Sequence, residues 1–207
     1  MTTSDRARPR KPRADGERRR ASILREAASL ATVTGLDGLT IGGLAAATGM
    51  SKSGLYAHFG SKEELQLATV AQARRVFDAE VFGPASAAQP GVPRLVALCE
   101  AFFAHVEGGT FPGGCFFVGA ALEMGTRPGP VRDSIAAFQD ELGAVMATAV
   151  AAAVERGELS QDEDPQVLAF ELNALLVGAD AAFVLRGDPA VLEVARAVVR
   201  RRLTSPD

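Results

Sequence analysis

Apolar residues recur along this chain at intervals of three and four, the period of amphipathic helices. The first run begins at about residue 18, carries Ile23, Leu24 and Ala27 on its apolar face, and ends at Gly35. A glycine in this place commonly closes a helix in the left-handed conformation. No segment shows the strict apolar and polar alternation of a half-buried strand. The pattern predicts an all-α chain of about nine helices.

Proline, glycine and acidic caps predict the boundaries of the later helices. Ser61 followed by Glu64 is a capping box, and the helix it opens is expected to stop at Gly83 and Pro84. Asp164 before Pro165 has the signature of an N-cap followed by a proline in the first turn. The same reasoning predicts a linker over 83–91 and helices over 93–107, 115–124, 130–156, 165–186 and from 189 onward.

Residues 40–65 contain helix starts that are unusually close together. Thr40 and Ser51 can each cap a helix, and only eleven positions separate them, which leaves room for one short helix and a turn. Gly49 stands where this turn needs a residue that tolerates positive φ. Leu55 and Phe59, at i and i+4, can hold the second helix to a core. This arrangement predicts a helix-turn-helix with a recognition helix over 52–58.

The run GLYAHFGSKEEL over 54–65, preceded by Thr40 and by TGMS over 48–51, closely resembles the TetR family of bacterial transcriptional regulators. The resemblance implies a three-helix DNA-binding domain followed by a larger helical domain for ligand binding and dimerisation. The side chains expected to contact DNA are Thr40, Ser51, Lys52, Ser53, Gly54, Tyr56, His58 and Lys62.

Among these, Lys52, Ser53 and Tyr56 lie on the face opposite Leu55 and are expected in the major groove. Lys62, at a helix N-terminus, is expected on a phosphate. The alternatives are a packed core position for Tyr56 and a solvated one for Lys62.

One part of the motif departs from the family pattern. Gly42 and Gly43 occupy the first turn of the helix before the recognition helix, where relatives more often carry charged or larger residues. Each glycine weakens a helix by up to about 1 kcal/mol relative to alanine. A bare backbone at this place can, however, approach a phosphate closely.

Charge is distributed unevenly over the 207 residues. The whole chain has a formal net charge of −3, but residues 1–65 carry a net +4 and residues 66–207 a net −7. The basic part is also the part with the helix-turn-helix, which fits a DNA-binding head on an acidic body. We therefore predict a disordered basic arm over 1–17, a DNA-binding domain over 18–65 and a regulatory and dimerisation domain over 66–207. The arm either follows the DNA backbone or is a solvated terminus.

The helix predicted over 165–186 is apolar on most of its circumference, so it must be covered on two sides. It is either the central helix of a monomer or part of a dimer interface. The resemblance implies a dimer built by this helix and the last one. The residues expected at that interface are Ala174, Gly178, Ala181, Ala182, Val191, Val194 and Val198.

The resemblance also implies an effector pocket within the helical body. Aromatic and methionine side chains at helical spacing are more often ordinary core, but they can also line an apolar cavity. The residues proposed for this pocket are Cys99, Phe102, Phe103, Phe117, Met124, Phe138, Phe170 and Asn173. Asp180 is expected either to pair with an arginine or to orient a polar group of the ligand.

Thiol chemistry is the competing hypothesis. Cys115 follows two glycines at a helix start, where the helix dipole could lower its pKa, and His105 could act as a base. A thiol-based redox sensor, a cysteine enzyme and a ligand carrier are the alternatives that this leaves. No oxyanion motif or metal-ligand spacing accompanies the two cysteines, so we expect no catalytic residue, cofactor or metal.

The longest apolar run, over 142–154, is too short for a bilayer span. We therefore predict a cytoplasmic, homodimeric, ligand-responsive DNA-binding regulator, most simply a repressor. Its expected partners are a double-stranded palindromic operator and a small, largely apolar effector.

Overall fold

The computed structural model describes residues 12–204, with side chains from residue 16 onward. Its helices, in chain order, are α1 Pro12–Thr34, α2 Ile41–Thr48, α3 Lys52–Tyr56, α4 Lys62–Phe77, a π-helical turn Asp78–Phe82, α5 Gly83–Ala87, α6 Val92–Glu107, α7 Phe116–Met124, α8 Pro130–Glu155, α9 Pro165–Arg186 and α10 Ala190–Thr204. When the continuous segment 62–87 is counted once, the described part of the chain contains nine helices and no strand. The all-α prediction is confirmed.

The first helix starts earlier than its apolar pattern suggests. It begins at Pro12 rather than at about residue 18. Proline is well suited to this position because the first turn of a helix needs no backbone N–H from it. The prediction of a disordered arm is therefore wrong for residues 12–17, and its remainder, residues 1–11, lies outside the described residues.

The segment predicted as a linker is partly helical. Instead of stopping at Gly83 and Pro84, the backbone widens into the π-helical turn and continues as α5 to Ala87. The N–H of Gly83 donates to the carbonyl of Asp78, five residues back, rather than to the usual fourth. Pro84 normally ends a helix because its ring clashes with the carbonyl four residues earlier. The wider turn just before it accompanies the passage of the helix through the proline.

Acidic caps set the starts of the last two helices, as predicted. Asp164 accepts hydrogen bonds from the backbone N–H groups of Gln166 and Val167. Asp188 accepts one from Ala190 at 2.9 Å. Between them, Gly187 closes α9 in the left-handed conformation, with φ of 64°. Each of the two aspartate N-caps contributes about 1 kcal/mol to the stability of its helix.

Helix α4 connects the two functional parts. It packs against α1 in the small N-terminal head and against α8 in the body. The body is built around α8 and α9, which pack together, and around α6 and α10, which cover them. By length and composition alone α8 and α9 also qualify as membrane spans, a test that core helices of soluble proteins pass as well. Both helices contribute buried residues to the single core cluster.

Candidate nucleic-acid interface

Three hydroxyl caps fix the geometry of the helix-turn-helix. The side-chain oxygens of Thr40, Ser51 and Ser61 accept from the third backbone N–H downstream, at 3.0, 3.1 and 3.0 Å. Gly49 adopts φ of 65° and closes α2, which confirms its predicted place in the turn. Because the cap uses one acceptor site of Thr40, the hydroxyl hydrogen of Thr40 remains free to donate to DNA, whereas the Oγ of Ser51 also lies 3.3 Å from the Oγ of Ser53, within hydrogen-bonding distance.

The helix α3 divides into a buried side and an exposed side. Leu55, on α3, and Phe59, just beyond it, are both fully buried and hold this segment to the head. Lys52 and Ser53 are exposed, and 57% of Tyr56 is accessible, so a packed core position for Tyr56 is excluded. Three polar side chains thus share the outer face of a helix whose other side is anchored.

Gly54 and His58 differ from the other predicted contacts. Gly54 is half-buried on α3, where an added Cβ would lie 3.1 Å from the oxygen of Ser51. The helix ends at Tyr56, so His58 lies in the following turn rather than on the recognition helix predicted over 52–58. The guanidinium of Arg20 lies 4.9 Å above the Phe59 ring and places another cation on the head.

Lys62 is exposed but not simply solvated. It is the first residue of α4, and its Nζ lies 2.8 Å from the carboxylate of Asp37. The hydrogen bond from Lys62, together with an ion pair to Arg127, lowers the pKa of Asp37. A DNA phosphate near Lys62 therefore competes with a carboxylate for the same ammonium group. Sequence reasoning missed this partner, which lies 25 residues away.

The loop 35–40 is also tied to the body. The carboxylate of Glu123, on α7, accepts from the backbone N–H groups of Leu36 and Asp37 at 2.6 and 2.9 Å. Arg127, just beyond α7, holds the side chain of Asp37. The body therefore contacts the head by a second route besides α4. No local sequence signal connects residues that lie 87 positions apart.

Most residues proposed for an effector pocket form packed core. Phe117 and Phe138 stack with ring centroids 3.5 Å apart, and Phe77 meets the Phe138 ring edge-on at 4.9 Å. Of the eight proposed residues, those that are buried are Cys99, Phe102, Phe103, Phe117, Met124 and Phe138. Asn173 is half-buried, and only Met124 lines one of the four clefts described for this surface.

Phe170 does not belong to this core. It lies on α9 with 76% of its surface exposed, so its assignment to the pocket is wrong. Because α9 is apolar on most of its circumference, its sequence does not show which face is exposed and which is buried. On the same helix, 84% of Leu185 and 60% of Val167 are exposed. Of the residues expected at the dimer interface, the exposed ones are Ala174, Gly178, Ala181 and Val194, and the half-buried ones are Ala182, Val191 and Val198.

Both thiols are poor nucleophiles. Burial raises the pKa of Cys99 and of Cys115 to about 12. The helix start at Cys115 does not lower the pKa of this thiol, because the loss of solvation has the larger effect. His105 is paired through Nδ1 with Glu80 at 2.6 Å. Among the described side chains, no three metal-binding groups come together.

Asp180 is buried and is not paired with an arginine. Its carboxylate accepts the backbone N–H of Cys115 at 2.8 Å, instead of pairing with an arginine. Burial raises the pKa of Asp180 to about 6, against the lowering effects of this hydrogen bond and of His105. The residue joins α9 to the start of α7.

Comparison with known proteins gives two family matches. Residues 23–69 match the family described as bacterial regulatory proteins, tetR family, and residues 91–199 match the tetracyclin repressor-like C-terminal domain. No curated protein shows significant sequence similarity to this chain.

Several solved structures share the fold. A TetR transcriptional regulator from Chloroflexus aurantiacus J-10-FL is 28% identical, over 93% of this chain and 97% of its own, with a TM-score of 0.85. AibR in complex with isovaleryl coenzyme A and operator DNA is 25% identical, over 91% of this chain and 100% of its own, with a TM-score of 0.72. A TetR-family regulator from Agrobacterium tumefaciens, 20% identical over 91% and 99% of the two chains, has a TM-score of 0.81 and supports the fold alone.

Proposed function

We propose that this chain, which belongs to the TetR family of bacterial regulatory proteins, is a repressor released from its operator by a small, largely apolar effector. The family consists of DNA-binding transcriptional regulators that respond to ligands. The operator is palindromic and the protein binds it as a homodimer in the cytoplasm, without catalytic activity. The boundary between the DNA-binding and regulatory domains lies at residues 65 and 66, within α4.

The outer face of α3 carries this proposal. Lys52, Ser53 and Tyr56 are exposed side by side, while the buried Leu55 fixes the rotation of the helix. Lysine, serine and tyrosine can all donate hydrogen bonds to base edges in the major groove. Lys62 lies further along, on the first turn of α4, where an ammonium group and free backbone amides together suit a phosphate.

Exposed apolar residues on the outer side of α9 support the proposed dimer. Val167, Phe170 and Leu185 are large apolar residues exposed on one helix of an otherwise well-packed body. Val194 on α10 is exposed as well, at 65%. An apolar patch of this kind normally marks a surface that another chain covers. A second copy of the chain is the natural partner, because a palindromic site requires two-fold symmetry.

The experiment that tests the DNA-binding proposal begins with the operator. Genomic fragments that stay bound to the purified protein should converge on a discrete palindromic site. Lys52→Ala and Ser53→Ala should then each weaken operator binding by about 1 to 3 kcal/mol with little effect on random DNA. Lys62→Ala should weaken binding to both and make the salt slope shallower by about one unit.

Equal losses on operator and random DNA for all three variants would remove α3 from the sequence-reading role. Failure to recover any discrete duplex site would contradict the regulator itself. Arg75→Ala is the matched control, since this exposed cation lies further along α4 and carries no predicted DNA contact.

A further inference from the structure

A surface groove separates the residues after α5 from the middle of α8. Its volume is about 410 Å³, the largest of the four clefts described. The α8 side is a smooth wall of Ala144, Val145, Thr148 and Ala152, and Arg94 at the start of α6 lines the groove with it. The hydroxyl of Thr148 donates to the carbonyl of Ala144 at 2.8 Å, so this side of the groove has no unsatisfied side-chain donor.

Arg94 is the unusual residue of the groove. Its guanidinium donates through Nη2 to the carbonyls of Ser86 and Ala88, at 3.4 and 2.9 Å. Its Nε is buried and has no hydrogen-bond partner within the described part of the chain. No ion pair to Arg94 is found among the described residues either. Buried donors without an acceptor are rare in native proteins and call for a specific explanation.

The only acidic residue that lines the groove, Glu141, is paired with an arginine. Both carboxylate oxygens of Glu141 accept from Arg74 of α4, in a bidentate pair. Hydrogen bonding to Arg74 lowers the pKa of Glu141. The lining therefore has one unpaired positive charge, that of Arg94, beside an apolar wall. A monocarboxylate with a hydrocarbon body complements both features.

We propose that this groove binds an amphipathic monocarboxylate, with the carboxylate on Arg94 and the hydrocarbon chain along α8. A volume of about 410 Å³ suits a medium-chain or small aromatic acid. The pair of Arg74 and Glu141 borders the groove and connects α8 to α4, the helix that reaches the DNA-binding head. In its regulatory part, the inference rests on the proposed function, since it makes this groove the effector site.

Octanoate is the probe, and 1-octanol is the neutral molecule of matched chain length. Isothermal titration of the full-length protein should give saturable octanoate binding, with 1-octanol at least about tenfold weaker. Arg94→Met keeps the length of the side chain and removes the charge, and should weaken octanoate binding by about tenfold or more while leaving 1-octanol unaffected. Ala144→Leu should narrow the groove and weaken both molecules.

Arg75→Met is the control, because it removes an exposed cation outside this groove. Unchanged octanoate binding in both Arg94→Met and Ala144→Leu, or no octanoate binding to the original protein, would overturn the proposal. A variant counts only if its far-ultraviolet circular dichroism matches the original. If Arg94→Met does not fold, Arg94→Lys is the alternative variant for the same binding measurement, and it should retain part of the octanoate affinity.

Operator binding separates this inference from the proposed function. Octanoate should weaken operator affinity in the original protein and in Arg75→Met, but not in Arg94→Met. If the operator is bound normally and octanoate binds elsewhere, the groove is wrong and the regulator stands. If octanoate fills the groove and operator affinity stays constant, the binding site stands and its role as effector site is contradicted. If no operator is found, the proposed function fails whatever octanoate does.

Discussion

The head and the body of this protein differ in where their characteristic side chains lie: those of the head are exposed, and most of those of the body are buried. In the head, Lys52, Ser53 and Tyr56 point outward from a helix of only five residues. In the body, most of the aromatic residues point inward and pack against one another, as Phe117 and Phe138 do, although Phe170 is exposed. A motif for binding a polymer must be exposed, and it can therefore be recognised from local sequence. A core of phenylalanines has the same pattern whether or not it leaves room for a ligand.

The two regions also differ in what holds them together. A helix as short as α3 is unstable alone and depends on its cap at Ser51 and on the burial of Leu55. The long helices α8 and α9 each bury many apolar groups, so they depend more on packing than on their caps. Local polar chemistry thus determines the head, while packing between distant segments determines the body.

The largest expected effect tests the body as a dimerisation surface. Gly178 lies on the exposed side of α9, and a Cβ added there meets no atom within 4 Å in the single chain. Gly178→Leu should therefore leave the isolated subunit folded but overpack the interface with a second copy. Two added side chains should cost roughly 2 to 6 kcal/mol of association free energy. Sedimentation equilibrium should show monomers where the original protein is a dimer.

Gly119→Leu provides the matched control for this experiment. Gly119 is also exposed and also has no neighbour within 4 Å of an added Cβ, but it lies on α7. Its variant should remain dimeric. A Gly178→Leu protein that sediments as an undisturbed dimer would mean that the small residues of α9 lie outside the interface.

Sequence reasoning predicted the head nearly completely, because its signals are local. The caps at Thr40, Ser51 and Ser61, the positive φ of Gly49 and the burial of Phe59 all depend on residues within a few positions. Helix boundaries in the body were also predictable wherever an aspartate precedes a proline, as at Asp164.

What the sequence could not supply is long-range contact. The bond from the amide of Leu36 to Glu123 has no local signature, and neither does the side on which Phe170 lies. A helix that is apolar all round does not indicate which face is the interface. The π-helical turn before Pro84 was missed for a different reason: proline usually ends a helix, whereas here the helix continues through the proline after a widened turn.

The next expected effect is on the pH dependence of stability, and it compares the buried Asp180 with the more exposed Asp37. Burial raises the pKa of Asp180 from 3.8 to about 6, so the folded chain holds this proton over a range where the unfolded chain has lost it. The contribution of Asp180 to stability is therefore fully present below about pH 4 and is lost as pH rises to about 6. The total loss is roughly 3 kcal/mol. The neighbouring His105, when protonated, and the Cys115 amide act in the opposite direction.

Asp180→Asn keeps an oxygen for the amide of Cys115 and removes the titration. Urea denaturation at pH 4, 5, 6 and 7 should show equal stabilities at pH 4 and a variant that is increasingly more stable toward pH 7. Asp37 is the opposite case, because its pKa is lowered by Lys62 and Arg127. Asp37→Asn should lose stability relative to the original protein only above the Asp37 pKa. A pH-independent difference for Asp180→Asn would contradict the raised pKa.

A smaller effect is expected where head and body meet. Glu123→Ala leaves the amides of Leu36 and Asp37 without their acceptor, which should cost about 1 to 2 kcal/mol. Hydrogen exchange at these two amides should become faster, while amides in the core of α9 keep their protection. Glu123→Gln retains one carbonyl oxygen, so its stability should lie between that of the original protein and that of Glu123→Ala. Unchanged exchange at both amides in Glu123→Ala would show that Glu123 does not hold the head.

The smallest expected effect returns to the two glycines of α2. A Cβ added at Gly42 would come no closer to another atom than 3.5 Å, to the Cε of Lys52, which is ordinary van der Waals contact. Gly42→Ala should therefore stabilise the head by up to about 1 kcal/mol, because alanine has the higher helix propensity. At Gly43 the added Cβ would lie 3.3 Å from the capping oxygen of Thr40, so Gly43→Ala should gain less. Thermal unfolding of the two variants shows which replacement stabilises the protein more. Operator binding by Gly42→Ala then decides why a glycine is present: retained affinity means that Gly42 only weakens the helix, whereas a loss on operator and random DNA alike means that the bare backbone of α2 approaches a phosphate.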